Sequence, residues 1–205
     1  MAYYFLRNPD LLLDSKLRRT PLATQNSIKL ANHQFLIQDY LIRKIKRTPL
    51  REIKIISLSI PNNWTPNSDP ILLKSTSDLS DWILADLEKS QKNLPLKNWL
   101  DDIYRVYTDG PAISHASGLL RYRFKAQSPY GSIELFTDSL QNPTLFIRCE
   151  LQSSTLGARY CQRTSNVTPQ IQINYRFTRL NLKNWRTIHQ TIEHLIKTIH
   201  RSKPS

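Results

Sequence analysis

Glycine is scarce in this chain, with four among 205 residues. That excludes collagen-like sequence and Gly-rich linkers. It also excludes the phosphate-cradling loop and the G-x-G-x-x-G dinucleotide turn, whose backbone geometry needs glycine. Cysteine is scarcer still, with two. Two cannot build a disulfide scaffold at this length, and Cys149 and Cys161 fit no zinc spacing, so both read as reduced thiols. No stretch approaches the roughly 20 apolar residues of a membrane-spanning helix. The opening Met1-Ala2-Tyr3-Tyr4-Phe5-Leu6-Arg7 is apolar but short, without the basic start or small-residue cleavage site of a leader. These absences predict a cytoplasmic protein with no membrane contact.

Acid is also in short supply. Asp and Glu number 16 against 29 Lys and Arg, a formal charge of +13. The excess is uneven: residues 1–54 carry net +7, residues 55–110 net −3, and residues 111–205 net +9. A hydrophobic fraction of 40% is enough for a core and excludes wholesale disorder. A basic excess of this size favours polyanions through long-range attraction and counterion release. The expected partner is nucleic acid, DNA or RNA, met alone or within a nucleoprotein complex. The alternative is a structural subunit docking on an acidic protein.

Residues 1–25 read as an irregular arm ending near Thr20-Pro21, and 26–205 as a single α+β domain. Residues 26–47 are predicted helical, with Ser27 as N-cap and Ile28, Ala31, Phe35, Tyr40, Leu41 and Ile45 as the apolar side. Ile-rich 52–60 is a predicted strand, followed by a Pro/Asn/Ser loop over 61–74. Leu79, Trp82, Ile83 and Leu87 predict a helix over 77–92. Leu96, Trp99, Leu100, Ile103 and Tyr107 predict another after Pro95. The period then becomes two, giving strands over 119–127, 133–137, 145–151 and 171–177, with 152–168 polar and irregular. Trp185, Ile188, Ile192, Leu195, Ile196 and Ile199 mark a last helix over 182–200. The fold class expected is α+β: an antiparallel sheet of four to six strands with helices on one face.

Candidate binding residues fall in two basic groups. Arg121, Arg123 and Lys125 alternate with Leu120, Tyr122 and Phe124, which places three cations on one side of a strand, spaced to follow phosphates. Arg43, Lys44, Lys46 and Arg47, with Arg51 and Lys54 nearby, form the second group at the end of the first predicted helix.

The hairpin 132–152 has one register that is chemically consistent on both faces. Pairing Asp138 with Thr144 sets Glu134 opposite Arg148 and Phe136 opposite Phe146, with Leu135 opposite Ile147. Glu134 and Glu150 then lie diagonally about 7–8 Å apart. An acid on one strand with Glu150-Leu151-Gln152 closing the next resembles the core of PD-(D/E)xK-type nucleases over about twenty residues. The resemblance implies Glu134 and Glu150 as Mg²⁺ ligands and Gln152 as a water-positioning group, standing where that family has Lys. The competing reading of Glu134 with Arg148 is an ordinary cross-strand ion pair. His189 and Glu193 share a helix face at i, i+4, but no third metal ligand accompanies them. No cofactor and no metal are expected, and the main reading is a non-catalytic nucleic-acid binder.

Overall fold

The computed structural model describes residues 25–50, 52–65, 82–90, 95–152 and 159–201. Of the arm expected over 1–25, only Gln25 falls among them, and it opens a strand. β1 (Gln25–Leu30) and β2 (His33–Gln38) form an antiparallel hairpin closed by Ala31-Asn32. Ala31 has a φ of 52°, a left-handed conformation that ordinarily goes to glycine. A 3-10 turn (Asp39–Leu41) leads into β3 (Ile42–Arg47), and β4 (Ile53–Pro61) pairs back on it. The helix expected over 26–47 is therefore three strands. Its buried residues Ile28 and Leu30, then Phe35 and Ile37, lie two apart, which is the strand period.

The second correction concerns 77–92. Residues 82–89 are a strand, β5 (Trp82–Lys89), that buries Ile83, Ala85 and Leu87 on one side. Residues 77–81 and 91–92 lie outside the described residues. Leu, Ala and Glu favour helices in isolation, but partners on both edges of β5 override that preference. The helix after Pro95 is present as α1 (Leu96–Asn98), a π-helical Trp99–Tyr104 and a 3-10 turn Arg105–Tyr107.

Six further strands follow: β6 (Ile113–Ser114), β7 (Leu120–Arg123), β8 (Ile133–Thr137), β9 (Phe146–Glu150), β10 (Tyr160–Thr168) and β11 (Ile171–Thr178). β10 occupies part of the segment expected to be irregular. It was hidden because only Cys161 and Arg163 of its nine residues are buried. α2 (Trp185–Ile199) and β12 (His200–Arg201) close the described chain. The large sheet runs β3-β4-β5-β11-β10-β9-β8-β7-β6, antiparallel throughout, and a small one runs β1-β2-β12. The protein is thus mostly β, with nine strands in the main sheet instead of four to six and one long helix.

α2 buries the expected stripe of Trp185, Ile188, Ile192, Leu195 and Ile199. These residues share one core with Ile28 and Phe35 of the small sheet and with Ile56, Leu58, Ile83 and Phe177 of the large one. Each such side chain contributes about 1.5–3 kcal/mol on burial. A second cluster lies on the opposite side of the large sheet, where Leu100 and Tyr104 pack on Tyr122, Phe124 and Leu135.

The β8–β9 hairpin differs from its expected register by one residue. Thr137 pairs with Phe146, Leu135 with Arg148, and Glu134 with Cys149. The cause is the Asp138 side chain, whose carboxylate closes the turn. It accepts the Thr144 amide (2.9 Å), the Leu145 amide (3.3 Å) and the Thr144 hydroxyl, in place of a backbone pair. Cys149 and Cys161 face each other across β9 and β10 as a disulfide, which corrects the expectation of free thiols.

Two predictions arise from these contacts. Burial raises the Asp138 carboxyl, but the Thr144 and Leu145 hydrogen bonds outweigh it and leave the pKa below its ordinary value. A depressed folded pKa stabilises above the unfolded value of about 3.9 and loses that contribution as pH falls through the folded one. Asp138→Asn should therefore be less stable than wild type in urea at neutral pH, and the gap should close in acid. For the disulfide, the unreduced, denatured chain should contain no free thiol. Cys149→Ser/Cys161→Ser should lose about 3 kcal/mol, the loop-closure value for a bridge spanning a dozen residues.

Candidate interaction sites

The basic strand does not offer its cations freely. Arg121 and Arg123 project to the same side as Glu134, which is 1% exposed. Arg121 lies 3.6 Å and Arg123 3.4 Å from its Oε1, and Arg179 donates to its Oε2. Arg179 also donates to the Glu150 carbonyl at 3.1 Å. The carboxylate absent from strand 119–127 is supplied by the next strand. Only Arg123 remains mostly exposed, its side chain 61% accessible, with Lys125 exposed just beyond β7. Burial, then the Arg121 guanidinium, lowers the pKa of nearby His115.

The second basic group lies elsewhere. Arg43, Lys44, Lys46 and Arg47 belong to β3, the opposite edge of the large sheet, and not to a helix end. Seven strand spacings separate β3 from β7, roughly 33 Å. The two groups form no continuous surface.

The nuclease geometry fails for a related reason. Glu134 and Glu150 pair with Cys149 and Ile133, so they project from opposite faces of the sheet. The Glu150 carboxylate accepts the Tyr160 amide at 3.3 Å, and Gln152 sits in an exposed bend. No group of three metal-ligating side chains occurs among the described residues. His189 uses both ring nitrogens, with Nδ1 3.1 Å from the Tyr175 hydroxyl and Nε2 3.4 Å from Glu193.

What β3 does border is a groove. The tip of the β1–β2 hairpin, the ends of β3 to β5 and the β10–β11 turn enclose a cavity of about 1060 Å³. Three cations line it, Lys29, Arg47 and Lys89, against one carboxylate, Glu52. Lys44 and Lys46, on the same edge strand, are exposed and make no ion pair among the described residues. Arg43 reaches Asp86 at 3.7 Å with both side chains well exposed, a pair too solvated to cancel its field. Sequence reasoning identified the β3 cations but set them on a helix. It missed Lys29 and Lys89, which are isolated in sequence and lie in different sheets that both border the groove.

No protein-family model matches the chain. No curated protein matches it either. Two solved structures are similar. One is Smlt3025, an immunity protein of the Stenotrophomonas maltophilia type IV secretion system. It is 12% identical with a TM-score of 0.58, over 88% of this chain and 94% of that one. The other is the Neisseria meningitidis iron-regulated outer membrane lipoprotein FrpD. It is also 12% identical, with a TM-score of 0.51, over 87% and 93%. At this identity they establish a shared fold. Neither is described as a nucleic-acid binder, and the basic residues are split and partly neutralised, so the nucleic-acid reading is withdrawn.

The Glu134 cluster makes its own prediction. In Glu134→Gln the Arg121 and Arg179 guanidiniums, both largely buried, lose their counter-charge. Removing one partner of a buried ionic cluster should destabilise the fold by about 3 kcal/mol. A urea midpoint shifted at unchanged slope would show it, and adding Arg121→Gln should recover part of the loss.

Proposed function

We infer that this protein is a non-catalytic docking module whose basic groove engages an acidic partner protein. The observation that carries the reading is the collection of cations around the seam between the sheets. Lys29, Arg47 and Lys89 come together there with Glu52 as the lone carboxylate lining the groove. Such a field attracts an acidic surface at long range and repels basic competitors. The fold shared with an immunity protein supports a role exercised by binding and not by turnover. The Cys149–Cys161 bond supports an oxidising compartment, where such bonds persist, over the cytoplasm.

Affinity capture on the folded chain tests this. Wild type should retain an acidic protein in an equimolar, salt-sensitive complex that survives nuclease digestion. Lys29→Glu/Lys89→Glu should release it, because both side chains line the groove and are exposed, so their reversal leaves the core intact. Capture that persists after the reversal, or that nuclease abolishes, would overturn the reading.

A further inference from the structure

A second site lies on the other side of the large sheet from α2. There the sheet and the 96–107 helical segment enclose a cavity of about 320 Å³. Its floor is polar and already ordered. The Glu88 carboxylate accepts from the Gln172 amide at 2.8 Å and from the Asn174 amide, and the Thr164 hydroxyl donates to the Asn174 carbonyl. These groups stand on β5, β11 and β10, where Gln172 pairs with Glu88 and Thr164 with Asn174, so the ladder itself sets their spacing. Gln162 and its pairing partner Arg148 extend the floor to β9. The wall is aromatic. Tyr104 is buried, 5.8 Å edge-on from Phe146 and 6.0 Å from Trp99, and its hydroxyl is hydrogen-bonded to Arg148. Trp99 is only half-buried and lines the cavity.

We propose that this cavity binds a neutral polyhydroxylated ligand, a sugar ring with one apolar face. The lining holds one carboxylate and one guanidinium, so it carries no net charge and favours neither anion nor cation. Amides and a hydroxyl offer donors and acceptors side by side, which suits hydroxyl groups that both give and take a hydrogen bond. A wholly apolar ligand would strip water from that floor without using its remaining hydrogen-bonding capacity. A wholly polar one would gain nothing from the indole of Trp99. A pyranose satisfies both surfaces, its C–H face on the aromatic wall and its hydroxyl rim on the floor. The volume is at the small end of ligand cavities, which run from about 300 to 1,000 Å³. The site owes nothing to the basic groove and goes beyond the docking reading.

Saturation-transfer NMR on the full chain tests it, with the methyl glycosides of glucose, galactose, mannose and N-acetylglucosamine, and with lactose and cellobiose. At least one should receive saturation at its ring C–H protons. Trp99→Ala should weaken that ligand by about tenfold or more. Should Trp99→Ala fail to fold, Gln162→Ala/Thr164→Ala removes floor contacts from less buried positions and should weaken it likewise. Lys29→Glu/Lys89→Glu, at two positions lining the groove, should leave sugar binding unchanged, which separates this site from the groove. No transfer to any of the six, or transfer undiminished in folded Trp99→Ala or in the floor variant, would refute the proposal.

Discussion

A nine-stranded sheet has two broad faces, and one amphipathic helix cannot cover even one of them. α2 presents five large apolar residues over fifteen positions, enough for the middle of one face. The rest of that face is closed by the small sheet, whose Ile28, Leu30, Phe35 and Ile37 join the same core. The other face has only the 96–107 segment among the described residues, and it covers the β7–β9 end. Both candidate sites are consequences of this incomplete coverage. The groove is the seam where the two sheets meet, and the small cavity is the margin where the helical cover stops.

Charge follows from the same architecture. Of the chain's cations, Arg121, Arg179 and Arg163 are drawn inward. The first two converge on Glu134, and the third lies over the Trp185 ring at 5.9 Å. Cations so placed serve packing and cross-strand connection and add little to the external field. The β3 side is different, since Lys44 and Lys46 stand on an edge strand with solvent around them. Lysine and arginine on an edge also discourage strand-to-strand aggregation. One composition therefore serves both an internal and an external purpose, and net charge alone cannot divide it between them.

The sequence was most legible where one element buries one stripe against one surface. α2 is such a case; β4 was marked instead by its Ile-rich run between Pro49 and Pro61, and β8 and β9 by a two-residue repeat. It misled at β5, whose Leu, Ala and Glu spell a helix until two strand partners are known. The β1–β2 turn gave no warning, because Ala31-Asn32 lacks the Asn-Gly or Asp-Gly pair that signals a tight hairpin. The register error at β8–β9 came from treating Asp138 as a ladder residue when its carboxylate replaces the ladder. That one-residue shift had a large effect on the site. It puts Arg148 on the face opposite Glu134, whose ion partners are Arg121 and Arg123 across the β7–β8 ladder together with Arg179, so an apparent basic surface is an internal ion cluster. The disulfide was invisible for a similar reason, since Cys161 lies on a strand too polar to be recognised as one.

The two sites obey different physics, and this makes them separable within one small protein. Attraction at the groove is a sum of partly solvated charges, so it reaches far at low ionic strength and fades over a Debye length of about 8 Å in physiological salt. The cavity has no net charge and works only in contact, through an indole face and hydrogen bonds that screening barely changes. They also rest on different scaffolding. The groove depends on how the β1–β2 hairpin sits against the ends of β3 to β5, a junction between sheets. The cavity floor lies within one continuous ladder from β5 to β9, braced on the opposite face by α2 and stapled at Cys149–Cys161. A change in hairpin position would alter the groove's width and leave the floor spacing fixed, so the groove is the adaptable surface and the cavity the rigid one.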